Sequence, residues 1–261
     1  MRIVRFTPGP DSGLGQDPLF GVLEDDATIS IISGDPIYAG VQKTAAKIEL
    51  NKVRLLAPII PRSKVVCVGK NYADHAAEMG GVVPDEPVIF LKPNTSVIGP
   101  NDTIIWPEMS ARVDHEAELA IVIGRLCKDV PKERVNDVIF GYTIANDVTA
   151  RDLQKKDGQW TRAKSFDTFC PIGPWVDTDF VPGTQKITAT IAGEIKQSAQ
   201  ISDMIFDVPT IINFVSSVMT LLPGDIILTG TPAGIGPMVV GEKVTIAIEG
   251  LGVLTNKVAT K

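Results

Sequence analysis

Two glutamates, Glu116 and Glu118, stand at the start of the apolar stretch DHEAELAIVIG, residues 114–124. In a strand, residues i and i+2 share a face. Read as a strand, His115, Ala117, Leu119, Ile121 and Ile123 form a mostly apolar face, and the two glutamates are neighbours on the other. Carboxylates that close repel each other and need compensation. Solvent supplies it at an exposed strand end. A hard divalent cation such as Mg²⁺ or Mn²⁺, which favours carboxylate oxygen, supplies it better. A third acid, Asp147, ends the strand-like run GYTIAND. It is a further candidate ligand, with turn formation or capping as its plainer role. Thr149 and Asp152, three apart, have the spacing of a capping box. On the helix this predicts, Arg151 and Gln154 share a face. A guanidinium and an amide there can hold a carboxylate; a surface ion pair is the alternative for Arg151.

The stretch GKNYADHAAEMGG, residues 69–81, carries the second candidate group. His75 and Glu78 lie at i and i+3 of a short helix, where the carboxylate can orient the imidazole and raise its basicity. Asn71 is placed to cap this helix, and Gly80 and Gly81 to end it. A helix of barely two turns is marginal alone. That fits a lid closing over substrate, or a surface helix with an incidental pair. The chain has only two histidines, and strand alternation points His115 away from the acids, which leaves His75 as the candidate base.

These residues must be held by a β-rich scaffold. IVRF, LFGVLE and ATISII, within the first 57 residues, predict a small N-terminal β-rich unit (1–57). A proline-bearing join near residues 57–62 leads to a larger domain (62–261). There VVCVG, PVIFLK, ELAIVIG, VIFGYTIAND, KITATIAG, DIILTG and EKVTIAIEG are β-branched runs punctuated by Gly, Pro or Asp. Helical patterns are few: 72–79, 150–156 and 208–219. Strands and helices do not alternate regularly, which disfavours a doubly wound parallel sheet. A β-rich α+β roll or sandwich fits better.

The totals exclude several classes. The 261 residues are 44% hydrophobic and 21% charged, with a net charge of −6 and no basic run. Nucleic-acid binding is therefore not expected. No segment approaches the roughly 20 apolar residues of a membrane span, and no secretory signal is expected from MRIVRFTPGPDSG. A cytoplasmic protein is expected. Cys67, Cys127 and Cys170 are odd in number and lack CxxC spacing, so neither a disulfide framework nor a zinc site is expected. Cys67 reads as a buried thiol and the three tryptophans as packing residues. GTPAGIG, residues 230–236, matches neither GxGxxG nor a P-loop and reads as a turn-rich substrate loop.

Taken together, VGKNYADHAAEM, FLKP, HEAELAIVIG, NDVTARDLQ, GQWTRAKSFDTFCPIGPW and MTLLPGDIILTGTPAGIGP resemble the fumarylacetoacetate hydrolase family, in the family's order, over about residues 64–250. The resemblance implies that family's mixed β-roll and a small N-terminal domain. It implies Mg²⁺ or Mn²⁺ on Glu116, Glu118 and Asp147, and His75 with Glu78 as an acid–base dyad on a mobile lid. Arg151, Gln154 and Lys164 would line the substrate site, Lys164 also steadying an enolate, with Gly230 and Thr231 at the substrate carboxylate. A homodimer is implied as well. Larger animal-type members place another acid seven residues before the histidine; Val68 stands there. The chain thus resembles the smaller branch of acylpyruvate hydrolases, oxaloacetate decarboxylases and decarboxylase/isomerases of aromatic catabolism. The expected activity is metal-dependent C–C cleavage of a small 2-oxo acid to give pyruvate, by hydrolysis or decarboxylation. The alternatives are an isomerase of unsaturated 2-oxo dicarboxylates, or an inactive 2-oxo-acid-binding protein.

Overall fold

The computed structural model describes residues 1–78 and 80–261. A twelve-stranded sheet is its backbone. From one edge its main path runs Lys43–Glu49, Thr28–Ile32, Leu19–Leu23, Arg2–Pro8, Cys170–Asp177, Ile139–Asn146, Ala117–Ile123, Ile226–Leu228, Val65–Gly69 and Val88–Lys92. Along this path only Ile226–Leu228 with Val65–Gly69 is a parallel pair; the others are antiparallel. A five-stranded sheet, Glu194–Gln200, Lys186–Ile191, Lys243–Ile248, Gly252–Thr260 and Thr103–Trp106, packs against it. This is the β-rich α+β architecture the sequence predicts.

The central strand Ala117–Ile123 is buried along its whole length because both of its faces meet a core. Leu119, Ile121 and Ile123 enter the main core with Ile187, Ala189 and Ile246 of the second sheet. Ala120 and Val122 enter a second core with Ile3, Cys67, Ile172 and Val176. Each fully buried aliphatic side chain of this size contributes roughly 1.5–3 kcal/mol, which makes the strand a rigid support for what stands at its start. The helix Val208–Val218 closes the main core through Val208, Ile211, Ile212 and Val215, an i, i+3, i+4, i+7 stripe. Asp207 caps it by accepting from the Thr210 amide at 2.9 Å.

The N-terminal strands are continuous with this sheet. Arg2 and Ile3 pair with Asp177 and Val176, so the first strand completes the large sheet. Among the described residues no helix is long and apolar enough to cross a membrane.

Two local expectations are corrected. Thr149 does not cap a helix: Thr149–Ala150 pair as a two-residue strand with Asp114 and Val113. The helix begins at Arg151 with no side-chain cap, and Asp152 instead accepts from Ser110 Oγ and the Ala111 amide. Asn71 does not cap its helix either. Its amide clasps both backbone groups of Phe206 and the carbonyl of Thr229, pinning the base of the helix Ala73–Glu78 to the loop after residue 228. The expectation for this helix extended to Met79, which lies outside the described residues.

Candidate active site

The continuous strand expected over residues 114–124 is interrupted at Glu116. Val113–His115 belongs to a three-stranded sheet and Ala117–Ile123 to the large one. The Glu116 amide donates to Asn146 Oδ1 at 3.0 Å, and its carbonyl accepts from the Asp147 amide at 2.9 Å. The break draws the end of Ile139–Asn146 against Glu116. Ligand oxygens of Glu116, Glu118 and Asp147 lie within 4.8 Å of one another, and all three side chains are buried. Solvent therefore does not supply the compensation these acids need.

Lys164 Nζ donates to Glu116 Oε2 at 2.8 Å and to Asp147 Oδ2 at 2.6 Å. Lys92 Nζ takes the other Asp147 oxygen at 2.5 Å. Arg151 pairs with Glu116, donates to Asp114 Oδ2 at 2.9 Å, and reaches Gln154 Oε1 at 2.7 Å. Arg112 holds Asp114 from the other side with two bonds. Four acids (Asp114, Glu116, Glu118 and Asp147) thus face four bases (Lys92, Arg112, Arg151 and Lys164). Burial raises the Glu116 carboxyl, but Lys164 and Arg151 together with His75 outweigh it and hold the group below the usual carboxylate range. Lys164 loses stability as a cation through burial and regains more from Asp147 and Glu116, so it stays an ammonium.

Glu118 is the exception. It is 1% exposed, accepts one bond from the Gly230 amide at 2.6 Å, and among the described residues has no lysine or arginine at ion-pair distance. Burial, followed by the charges of Asp147 and Glu116, pushes its carboxyl well above the ordinary range. A buried, under-compensated carboxylate beside two others is the arrangement a divalent cation satisfies, and three converging carboxylates suit Mg²⁺ or Mn²⁺. The acid set therefore fits such an ion.

His75 is 5% exposed. Its Nδ1 lies 3.1 Å from Glu78 Oε2. A carboxylate can only accept, so Nδ1 carries a proton, and in the neutral imidazole Nε2 holds the lone pair of a base. Glu78 is itself held by the Gly234 amide, at 3.1 and 3.3 Å from its two oxygens. His75, Glu116, Glu118 and Asp147 line one cavity. Lys70, Arg151, Gln154, Lys164 and Thr231 complete its polar wall. Glu78 and Gly230 stand behind the wall, Glu78 on His75 and Gly230 on Glu118. Phe90 and Trp160, edge to face at 5.1 Å, form an apolar side, so Trp160 both packs and faces the cavity. A larger groove, between residues 7–14 and 47–54, contains none of these groups.

Sequence reasoning passed over Lys92, Asp114 and Gln197, and read Asn71 as a helix cap. Asp114 had a signal, since it shares strand parity with Glu116 and Glu118. Lys92 stood in FLKP without a role, and the other two act through contacts that no local pattern encodes. His115 is buried outside the cavity, and among the described residues neither ring nitrogen has a hydrogen-bond partner.

A family model described as "Fumarylacetoacetate (FAA) hydrolase C-terminal" matches residues 64–259. The chain belongs to the fumarylacetoacetate hydrolase family. A second model, "Rv2993c-like, N-terminal", matches residues 1–58. Protein Rv2993c of Mycobacterium tuberculosis is 60% identical over 215 residues, covering 81% of this chain and 81% of its own. The protein named oxaloacetate tautomerase FAHD2A, mitochondrial, of Bos taurus is 46% identical over 99% of this chain and 91% of its own. Among solved structures of this family, maleylpyruvate hydrolase from Sphingobium sp. SYK-6 in complex with manganese(II) and pyruvate superposes with a TM-score of 0.80 at 32% identity, over 100% of this chain and 99% of that one.

Proposed function

We propose that this family member is an enzyme of small 2-oxo acids that depends on Mg²⁺ or Mn²⁺ held by Glu116, Glu118 and Asp147, and that it interconverts the keto and enol forms of oxaloacetate. The observation that carries this reading is the under-compensated carboxylate of Glu118, set in one cavity with a histidine whose Nε2 is free to act as a base. A bound divalent ion would act as a Lewis acid on the keto oxygen. The remaining chemistry belongs to the chain. His75 Nε2 removes a proton from C3, and Glu78 steadies the imidazolium through Nδ1–H. The proton returns to the enol oxygen or to C3. Lys164, kept cationic, stabilises the negative charge that develops on oxygen. A 2-oxo acid gains a negative charge on becoming an enolate, so the site favours that form over the keto form.

The maleylpyruvate hydrolase likeness, with pyruvate in that structure, supports a second activity of the same enolate chemistry: C–C cleavage releasing pyruvate from an acylpyruvate or from oxaloacetate. The homodimer implied by the resemblance is part of the proposal, and light scattering would return twice the chain mass. The deciding experiment follows the enol absorbance of oxaloacetate alongside pyruvate release, with Mg²⁺, Mn²⁺ or EDTA. Metal-dependent enol decay without matching pyruvate supports tautomerisation, and stoichiometric pyruvate supports cleavage. Neither signal with either ion contradicts the proposal.

A further inference from the structure

Gln197 lies in the strand Glu194–Gln200 of the second sheet and is fully buried. Its side-chain oxygen accepts from the amide of Ala117, the residue between the two glutamates, at 2.9 Å. Its side-chain nitrogen donates to the carbonyl of Pro232 at 2.7 Å and meets Thr231 Oγ1 at 2.7 Å. An amide N–H cannot accept and a carbonyl cannot donate, so these two backbone partners fix which end of Gln197 is nitrogen. Both hydrogens of that nitrogen are then used, one on Pro232 O and one on Thr231 Oγ1. The Thr231 hydroxyl accepts there, so its own hydrogen must point elsewhere. Among the described residues no other hydrogen-bond partner of Thr231 Oγ1 is present, and Thr231 lines the cavity.

We propose that Gln197 is a positioning residue that, by occupying one lone pair of the Thr231 hydroxyl, turns its hydrogen toward the substrate and favours a carboxylate oxygen at that place. A carboxylate oxygen offers lone pairs only and carries charge, so it accepts that hydrogen more strongly than an alcohol or amide oxygen would. Through Ala117 the same side chain also ties the loop bearing Thr231 to the strand bearing the acids. The backbone agrees with this. Gly234, in the same loop, has φ +95°, and a Cβ there would lie 2.0 Å from the carbonyl oxygen of Lys196, next to Gln197. This inference rests on the proposed 2-oxo acid substrate.

The test uses Gln197→Glu, Thr231→Val and the double variant in the full chain, with KM for oxaloacetate, Ki for oxamate, kcat, and the Mn²⁺ dissociation constant as readouts. Glutamate keeps the acceptor for Ala117 but carries at most one hydrogen where the amide carries two. Thr231 is then free to turn its hydroxyl toward residue 197. The expected result is a rise of about tenfold to a hundredfold in KM and Ki for each single variant, the range for losing a bond to a charged group. Mn²⁺ affinity should stay within about twofold in Gln197→Glu, because the bond to the acid strand survives. The double variant should be no worse than Thr231→Val, since without the hydroxyl there is nothing to orient. Unchanged KM and Ki in Gln197→Glu, or effects that multiply in the double variant, overturn the proposal. Gln197→Met, which keeps the length and removes both hydrogens, answers the same question if the glutamate variant does not fold. A wild-type protein that neither converts oxaloacetate nor binds oxamate contradicts the proposed function itself. A wild type that does both, with Gln197→Glu unaffected, contradicts only the role of Gln197.

Discussion

A carboxyl group taken out of water and set beside two ionised neighbours is more stable protonated, and Glu118 is in that position. Its raised pKa means that, without a cation, the folded chain keeps a proton the unfolded chain has already lost. Below the ordinary carboxylate range both states hold the proton. As pH climbs from there toward the raised value, stability of the ion-free protein falls. The lowered Glu116 acts oppositely, its contribution being lost as pH falls below the ordinary range. Melting with EDTA between about pH 5 and 8 should therefore show a decline attributable to Glu118, flattened by Mn²⁺; an identical profile with and without the ion would contradict this. Glu118→Gln removes the cost of keeping that carboxyl protonated where the unfolded chain would ionise it. It should raise ion-free stability by on the order of 1 kcal/mol while abolishing ion binding, opposite effects that a merely structural glutamate would not produce. His75→Ala should lower kcat about 10²–10⁴-fold with KM within a few-fold. If pyruvate release by decarboxylation also occurs, it should suffer much less than hydrolysis. At this scale the His75–Glu78 pair was legible from the helix period, and the three acids from their residue type and their places beside apolar strand runs. Lys92 and Gln197 were not, because each reaches the site from a distant segment.

The elements that carry the site are joined by backbone and amide contacts rather than by apolar packing alone. Asn71 fixes the base of the Ala73–Glu78 helix, and the Gly234 amide holds Glu78 at its far end. Gly234→Ala would place a methyl against the Lys196 carbonyl at a backbone angle that disfavours any side chain. It should shift the loop off Glu78 and lower kcat by about tenfold or more with Mn²⁺ affinity retained. Equal loss of both would show that the loop supports the acids as well. The helix around His75 and the strand runs were readable from the sequence. The capping box at Thr149 was misread because pairing with Asp114 places that residue in a strand, a tertiary contact that outweighs local capping preference. The break at Glu116 was invisible for a similar reason: unbroken strand periodicity runs through a residue whose backbone is bound to Asn146 and Asp147.

The β-rich character of the whole molecule was plain in its short β-branched runs, but the order of its strands was not. Nothing local announces that Arg2–Pro8 pairs with Cys170–Asp177, or that Ile3, Val22 and Ile32 share a core with Ile172 and Val176. Removing residues 1–57 would open that sheet edge and strip those side chains from the core. The truncated chain should melt markedly lower or be recovered insoluble, and a truncated chain with unchanged melting would contradict the continuity of the sheet. That same sheet positions the strands bearing the three acids, whose joint hold on one ion is the central claim. Calorimetric titration of Mn²⁺ into the wild type, Glu116→Gln, Glu118→Gln and Asp147→Asn tests it most directly. One ion per chain in the wild type, with affinity lost or greatly weakened in all three variants, is the predicted result. No binding to the wild type, or wild-type affinity in any of the three, would contradict it.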